Sequence, residues 1–289
     1  MATAEKTAVL APEDPAGLRV VPARHPWRWL AGAAALLVSA QFLHGLVVNP
    51  GWDWGTFARY LTAPTILRAV GTTLELTAWG TVLGFALGAL VALLRLSGSR
   101  ILAGLAWTYT WVFRSIPLIV QLVFWFNLSY LYQHLALGVP FGPELWSLRT
   151  IDLLSAQGAA VLGLALYQSA YAAEVVRAGV IAVDPGQLQA AAALGIPRVR
   201  QIRRIVLPQA MRSILPNAAN QVIALLKSTS VVYVMAIGEL FYQVQVVYGR
   251  TGRVVPLLMV ATVWYVLLTT VLSVLQYYVE RHFSRRGKA

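Results

Sequence analysis

Asp184–Pro208 reads DPGQLQAAAALGIPRVRQIRRIVLP, and apolar segments flank it on both sides. Asp184 is a good N-cap, and Pro185 suits a first helical turn, where its missing N–H costs nothing. LQAAAAL then propagates a helix of little more than two turns. Gly195 follows as a residue able to close that helix in the left-handed conformation. Pro197 starts a second helix carrying Arg198, Arg200, Arg203 and Arg204, which Pro208 is expected to interrupt. The four alanines Ala190–Ala193 make a thin rod that buries little area. Helices below roughly 12–15 residues seldom persist alone in water, so this hairpin needs support from outside itself. The plainer alternative is a loop joining two spans. Ordinary connectors, however, have a median of about 4–6 residues and carry no double set of caps.

Working outward, the 289 residues are 58% hydrophobic and 12% charged, against roughly 45–50% apolar and 25% charged in soluble domains. Mean hydropathy is +0.65. Six spans are expected: residues 27–48, about 66–94, one within 101–136 that Pro117 bends or starts, about 158–180, about 209–236 and about 254–279. Each can cross a hydrocarbon core of ~30 Å. Residues 1–26 read as a mobile tail, and 281–289 as a basic C-terminus. Val38-Ser39-Ala40 resembles a signal-peptidase site, but the apolar run continues past it, favouring a retained anchor. Gly138, Pro140, Gly142 and Pro143 break the pattern up to about Ser155. Gly80, Gly84 and Gly88 recur every four residues, a face that lets another helix approach closely.

The net charge of +12 does not point to nucleic acid, because the basic residues lie in clusters between apolar runs. The tail, the link holding Arg95 and Arg100, the hairpin with Arg177 and Arg212, and the C-terminus all fall on one side of a six-span chain. The opposite gaps offer only Arg59, Arg68, Arg149, Arg250 and Arg253. By the positive-inside rule both termini and the hairpin are cytoplasmic. With no cysteine, disulfides, thiol nucleophiles and cysteine-ligated metals are excluded, and the four dispersed histidines fit no metal-ligand spacing. There is no GxxxxGK[ST], HExxH or GxSxG motif. The chain is therefore not expected to be an enzyme, and if ATP drives it, another chain hydrolyses the ATP.

The hairpin resembles a known signature. Gln189-Ala190-Ala191, then Gly195, then Ile205-Val206-Leu207-Pro208 look like the EAA motif of permease subunits of bacterial ABC importers, type I, of the kind that serve methionine and histidine. Glu174, Arg177, Gly179, Gly186-Gln187, Gln201, Arg204, Gln209-Ala210, Arg212, Leu215-Pro216, Asn220, Lys227 and Thr229-Ser230 resemble the wider pattern of the polar amino-acid branch. So do TTLELT (72–77) and FRSIPLIVQL (113–122). The resemblance covers about residues 66–280. It implies an all-α integral membrane fold, with one extra N-terminal span before a five-helix core, in the bacterial cytoplasmic membrane. It also implies coupling helices at about 184–204 seated in a groove of an ABC ATPase that uses ATP and magnesium. The other partners implied are an extracytoplasmic substrate-binding protein and a second copy or sister permease. Gln189 stands where the family usually has Glu, and Ser228 where it commonly has Asp.

Ionisable groups within spans cost roughly 2.5–3.5 kcal/mol at mid-membrane and invite a functional reading. Glu75, Arg114, Gln121, Lys227, Thr229, Ser230 and Glu239 are the candidates for a solute path, with Asn127 and Tyr171 weaker. Glu75 or Glu239 with Lys227 or Arg114 would meet the amine and carboxylate of an amino acid. Alternatively these groups pair internally and hold the bundle or form a gate. Glu174 and Arg177, three apart on one helix face, are expected to pair with each other. Two other functions stay open: a secondary carrier driven by an ion gradient, and a non-transporting scaffold that docks a cytoplasmic partner.

Overall fold

The computed structural model describes residues 26–138 and 144–285. The expected mobile tail, the glycine and proline residues of 139–143 and the last four basic-tail residues lie outside these. The chain divides into two units, residues 1–52 and 53–289.

In the first unit, α1 (Pro26–Val48) is a single helix followed by a 3-10 turn at Pro50–Trp52. After Arg28 it carries no Asp, Glu, Lys or Arg, and its 22-residue span is long enough to cross a bilayer. The expected first span is thus one continuous helix.

The second unit opens with α2 (Trp54–Leu61), whose N-cap Asp53 accepts from the Thr56 amide at 3.1 Å and hydroxyl at 2.8 Å. Pro64 stands at the first turn of α3 (Pro64–Arg95), which runs 32 residues. Next come α4 (Arg100–Ser115), capped by Ser99, and α5 (Leu118–Phe126), bent by 101° about the break at Ile116-Pro117. Pro117 has no N–H to continue the α4 ladder and pushes Ile116 into extended backbone, so the helix ends at Ser115, two residues before it. The short α6 (Leu128–Leu131) leads into an antiparallel hairpin, β1 (His134–Gly138) and β2 (Glu144–Arg149), with His134 opposite Arg149. The all-α expectation misses this hairpin. Turn α7 (Thr150–Leu153) then delivers the chain to α8 (Ala156–Ile181), capped by Ser155. Beyond it lie α9 (Pro185–Ala193), α10 (Arg198–Gln201), α11 (Leu207–Ser228), α12 (Leu240–Thr251) and α13 (Val254–Arg285). Among the described residues five helices are long and apolar enough to cross a membrane, and the bent α4–α5 pair brings the number to six.

The centre of the unit is the contact between α3 and α8. A Cβ on Gly84 would lie 2.7 Å from Cβ of Gln168, and one on Gly88 2.6 Å from Cβ of Ala172. A Cβ on Gly80 would meet Leu164 at 3.3 Å. The expected small-residue face therefore packs on α8, and the paired positions rise together, so α3 and α8 run parallel. α11 is antiparallel to both: Gly179 lies against Ala210 and Ile214, while Leu225 lies beside Gly80. α13 returns along α11, with Trp264 donating to the Leu61 carbonyl and Gln276 to Asn220. Arg95, the 184–208 hairpin and the C-terminal half of α13 thus share one end of the unit. The β-hairpin, the 229–239 segment and α12 occupy the other.

Leu76, Leu118, Leu122, Leu164, Leu225 and Val232 form the middle of the core. Ile66, Leu226, Leu240, Val244 and Leu257 fill the end away from the hairpin. Burying one such side chain is worth about 1.5–3 kcal/mol against water. Inside a bilayer, where lipid is equally apolar, the close glycine contacts carry more of the association.

Candidate functional site

The hairpin forms as the residues demand. The Asp184 carboxylate accepts from the Gly186 amide at 2.8 Å, capping α9. At the far end Gly195 has φ +69°, its amide donates to Ala192 and that of Ile196 to Ala191, at 2.9 and 3.0 Å. These two bonds are a Schellman closure, which satisfies the carbonyls a helix end leaves open. Of the motif residues, Ala191 is buried, while Gln189, Ala190 and Gly195 are exposed. Leu188 rests with Val183, Val206, Ala210 and Ile214 in a small core under the hairpin. A slim face of Gln189, Ala190, Ala193 and Leu194 is left outward.

The second arm departs from expectation at Pro208. α10 continues into a π-helical turn at Ile202–Val206 and then directly into α11, so Pro208 interrupts nothing. The Leu207 amide bonds the Ile202 carbonyl five residues back. That wider turn takes up the place where Pro208 can neither donate a bond nor approach the carbonyl four residues earlier. Ile205 is half-buried, and Leu207 and Pro208 are exposed along this entry to α11. Gln201 donates to the Ile196 carbonyl at 2.7 Å and Gln209 to Gln187 at 2.6 Å, so the arms are tied at corner and base.

Glu174 and Arg177 pair as expected: Nε and Nη2 of the arginine reach one carboxylate oxygen at 2.9 and 2.7 Å. Arg95 approaches the other oxygen at 3.7 Å and donates to Thr110 at 3.1 Å. One carboxylate thus joins the ends of α3 and α8 and, through Thr110, α4. Arg95 was missed in sequence because a residue ending one helix cannot be matched to a carboxylate on another by spacing. Beside this cluster, Arg114 lies 5.3 Å over the Tyr171 ring. Arg95, Arg114, Glu174, Tyr171, Trp107 and Trp111 line a cavity of about 450 Å³, large enough for an amino acid.

The remaining path candidates do not converge on one point. Among the described residues neither Glu75 nor Glu239 pairs with Lys227 or Arg114. Glu75 and Lys227 are exposed on the unit's surface, and neither side chain makes a hydrogen bond or ion pair among the described residues. Gln121 is buried, and its amide donates to Phe113 and Ile116, bridging the α4–α5 break. Asn127 donates to Val123. Thr229 is fully buried, Ser230 half-buried, and both hydroxyls turn back onto α11 carbonyls. Glu239 is fully buried. Its two oxygens accept from the amides of Phe241 and Tyr242 at 2.9 and 2.6 Å, and Tyr265 donates to it at 3.2 Å. The Leu240 amide donates to Thr73. The first three amides of α12 are therefore all satisfied by side chains, and Glu239 fixes that helix between α3 and α13.

Residues 55–285 match the family of binding-protein-dependent transport system inner membrane components. The arginine transport system permease protein ArgU of Corynebacterium glutamicum is 40% identical over 94% of this chain and 85% of its own length. The nopaline transport system permease protein NocM of Agrobacterium fabrum is 36% identical over 73% of this chain and 84% of its own. A solved amino acid ABC transporter superposes with a TM-score of 0.64 at 31% identity, covering 76% of this chain and 94% of that one. The hairpin, the crossing helices and the want of any nucleotide motif in the sequence agree with these likenesses. The chain belongs to the binding-protein-dependent transport family, as the membrane-spanning permease subunit of an ABC importer whose ATPase is a separate partner.

Proposed function

We propose that this permease carries a polar amino acid, of the class of arginine and its guanidinium-bearing derivatives, and is driven through the 184–208 hairpin. The observation that carries the coupling half is the outward face of α9: a small-residue rod, capped at both ends, with its base packed on the start of α11. An ATPase groove closing on that rod moves α11 directly. Gln189, Ala190, Ala191, Gly195, Ile205, Leu207 and Pro208 are the coupling residues. ATP and magnesium act on the partner ATPase, and both termini of the chain face it from the cytoplasm.

The substrate half is supported by the two permease relatives for arginine and nopaline and by residues exposed on this unit. Glu75 and Lys227, without internal partners among the described residues, face the path that a second permease copy or a sister chain completes. Glu75 meets the solute's cationic end and Lys227 its carboxylate, while Arg114 lines the path further along, in the cavity it shares with Tyr171 and Glu174. Thr229, Ser230, Gln121 and Glu239 hold the backbone that presents these groups. Glu174 with Arg177 holds the inner ends of the helices together as a gate.

Uptake of radiolabelled arginine into proteoliposomes holding the permease, its ATPase and its binding protein tests this reading. ATP-dependent accumulation is expected, reduced at least tenfold by Glu75→Gln. Accumulation by the permease alone under an ion gradient would refute the coupling, and uptake of acidic amino acids in preference to arginine would refute the substrate class.

A further inference from the structure

The second arm of the hairpin carries a feature that the coupling role of α9 leaves unassigned. Arg200, Arg203 and Arg204, with Pro197 and Val199, line an open cavity of about 580 Å³. All three line this one cavity, so their guanidinium groups face a common space. All three are exposed, and among the described residues none is paired with a carboxylate. Beside them Val199 and Ile202 leave 68% and 56% of their surface exposed. These apolar side chains sit at the first turns of the membrane-span segment Arg198–Met235.

A row of cations flanked by exposed aliphatic groups, where a chain enters the bilayer, is the pattern of a segment lying in the lipid interface. Guanidinium groups bind phosphate oxygens bidentately. An acidic protein surface would satisfy the arginines but leave Val199 and Ile202 against polar groups. A phospholipid satisfies both, with its phosphate on the arginines and its acyl chain on the aliphatics. We propose that Arg200, Arg203 and Arg204 form a binding site for the headgroup of an anionic phospholipid in the leaflet beside the hairpin. Because Gln201 and Gln209 tie the arms together, a lipid seated there braces α9 from behind. The lipid thereby tunes how firmly the coupling rod is held.

The test uses the whole complex, permease with its ATPase subunits, in nanodiscs of phosphatidylcholine alone or of equal parts phosphatidylcholine and phosphatidylglycerol. Lipids retained on extraction are counted by mass spectrometry, and ATP hydrolysis is measured in parallel. Wild-type complex is expected to retain phosphatidylglycerol preferentially and to hydrolyse ATP several-fold faster with it. A basic residue near an anionic surface contributes about fivefold in binding, so the triple Arg→Gln variant is expected to lose roughly 100-fold in preference. The triple Arg→Lys variant keeps most of it, and Arg198→Gln, which lies outside the cavity, keeps it as well. The proposal is overturned by a wild type indifferent to phosphatidylglycerol, or by Arg198→Gln acting like the triple variant. It also fails if inorganic phosphate alone reproduces the stimulation. Loss of the ATPase subunits from the triple variant would likewise overturn it, by assigning the arginines to the partner's surface.

Discussion

Gly195 is the position at which the coupling hypothesis can be put under graded strain. Its φ of +69° lies in the left-handed region, and a Cβ placed there meets nothing within 4 Å. Any cost of substitution is therefore conformational, not steric crowding. For alanine the left-handed region costs roughly 1–2 kcal/mol, and asparagine tolerates it better. Proline cannot adopt this φ at all, and it also deletes the N–H that bonds Ala192. That bond alone is worth about 1 kcal/mol. The corner should weaken in the order Asn, Ala, Pro. Since 1.4 kcal/mol is a tenfold change in an equilibrium, Gly195→Ala is expected to reduce the formed hairpin by about five- to thirtyfold relative to its open forms. The readout is the ratio of ATP-driven uptake to ATP hydrolysis in the reconstituted complex. Asparagine should leave the ratio nearly unchanged and alanine should lower it. Proline should abolish uptake while the permease still assembles in the membrane. Equal ratios for alanine and proline, or full uptake by the proline variant, would refute the view that a closed corner transmits force.

Other consequences follow from particular contacts. Gly88→Leu drives a side chain into Ala172 and the Ser169 carbonyl; the overpacking should cost about 1–3 kcal/mol, read as a lowered melting temperature of the purified complex. Glu239→Ala leaves the amides of Phe241 and Tyr242 without acceptors. A cap loss of about 0.5–2 kcal/mol is expected, seen as faster amide exchange confined to the first turn of α12, with Glu239→Gln in between. Asp53 has its carboxyl held below the usual range by the Thr56 hydroxyl and amide, with Arg253 adding to the effect. A lowered carboxylate pKa stabilises the folded corner above the ordinary carboxylate range and loses that stabilisation as pH falls through the lowered value. The melting temperature should therefore hold down to mildly acidic pH and fall only below it, a dependence that Asp53→Asn abolishes. Gln189→Glu restores a carboxylate on an exposed face. Surface ion pairs are worth about 0–1 kcal/mol, so uptake should change by less than about fivefold.

What could be read from the residues was whatever is local. Asp184, Pro185 and Gly195 announced a capped helix because capping is decided within a turn, and the four-residue glycine spacing announced a packing face. Pro117 announced a break. Which helix met the glycines was not legible, since nothing in positions 80–88 names α8, and the 101° bend depends on where α5 finds Leu76, Leu164 and Val232. Pro208 was misread because a proline normally ends a helix, whereas a π-turn before it lets one continue. The β-hairpin carried a weak two-residue alternation in Leu135 and Leu137, overshadowed by the glycines and prolines that follow. Glu239 looked like a charge awaiting a solute. Its caps on Phe241 and Tyr242 are local, but its burial beside Tyr265 of α13 and the Thr73 acceptor of α3 for the neighbouring Leu240 amide come from two other helices.

The glycine contact between α3 and α8 has a mechanical meaning. Two backbones that close together, in parallel over several turns, cannot slide or bend separately without collision, so the pair moves as a single strut. At 1.5 Å per residue the 26 residues of α8 span about 39 Å. A tilt of roughly 10° about one end would carry the other through about 7 Å. Because the hairpin follows α8 at its inner end, the hairpin must itself travel about that far for the strut to swing. The strut itself holds no joint; the helix breaks of the unit lie elsewhere, at Ile116-Pro117 and at the end of α11 at Ser228.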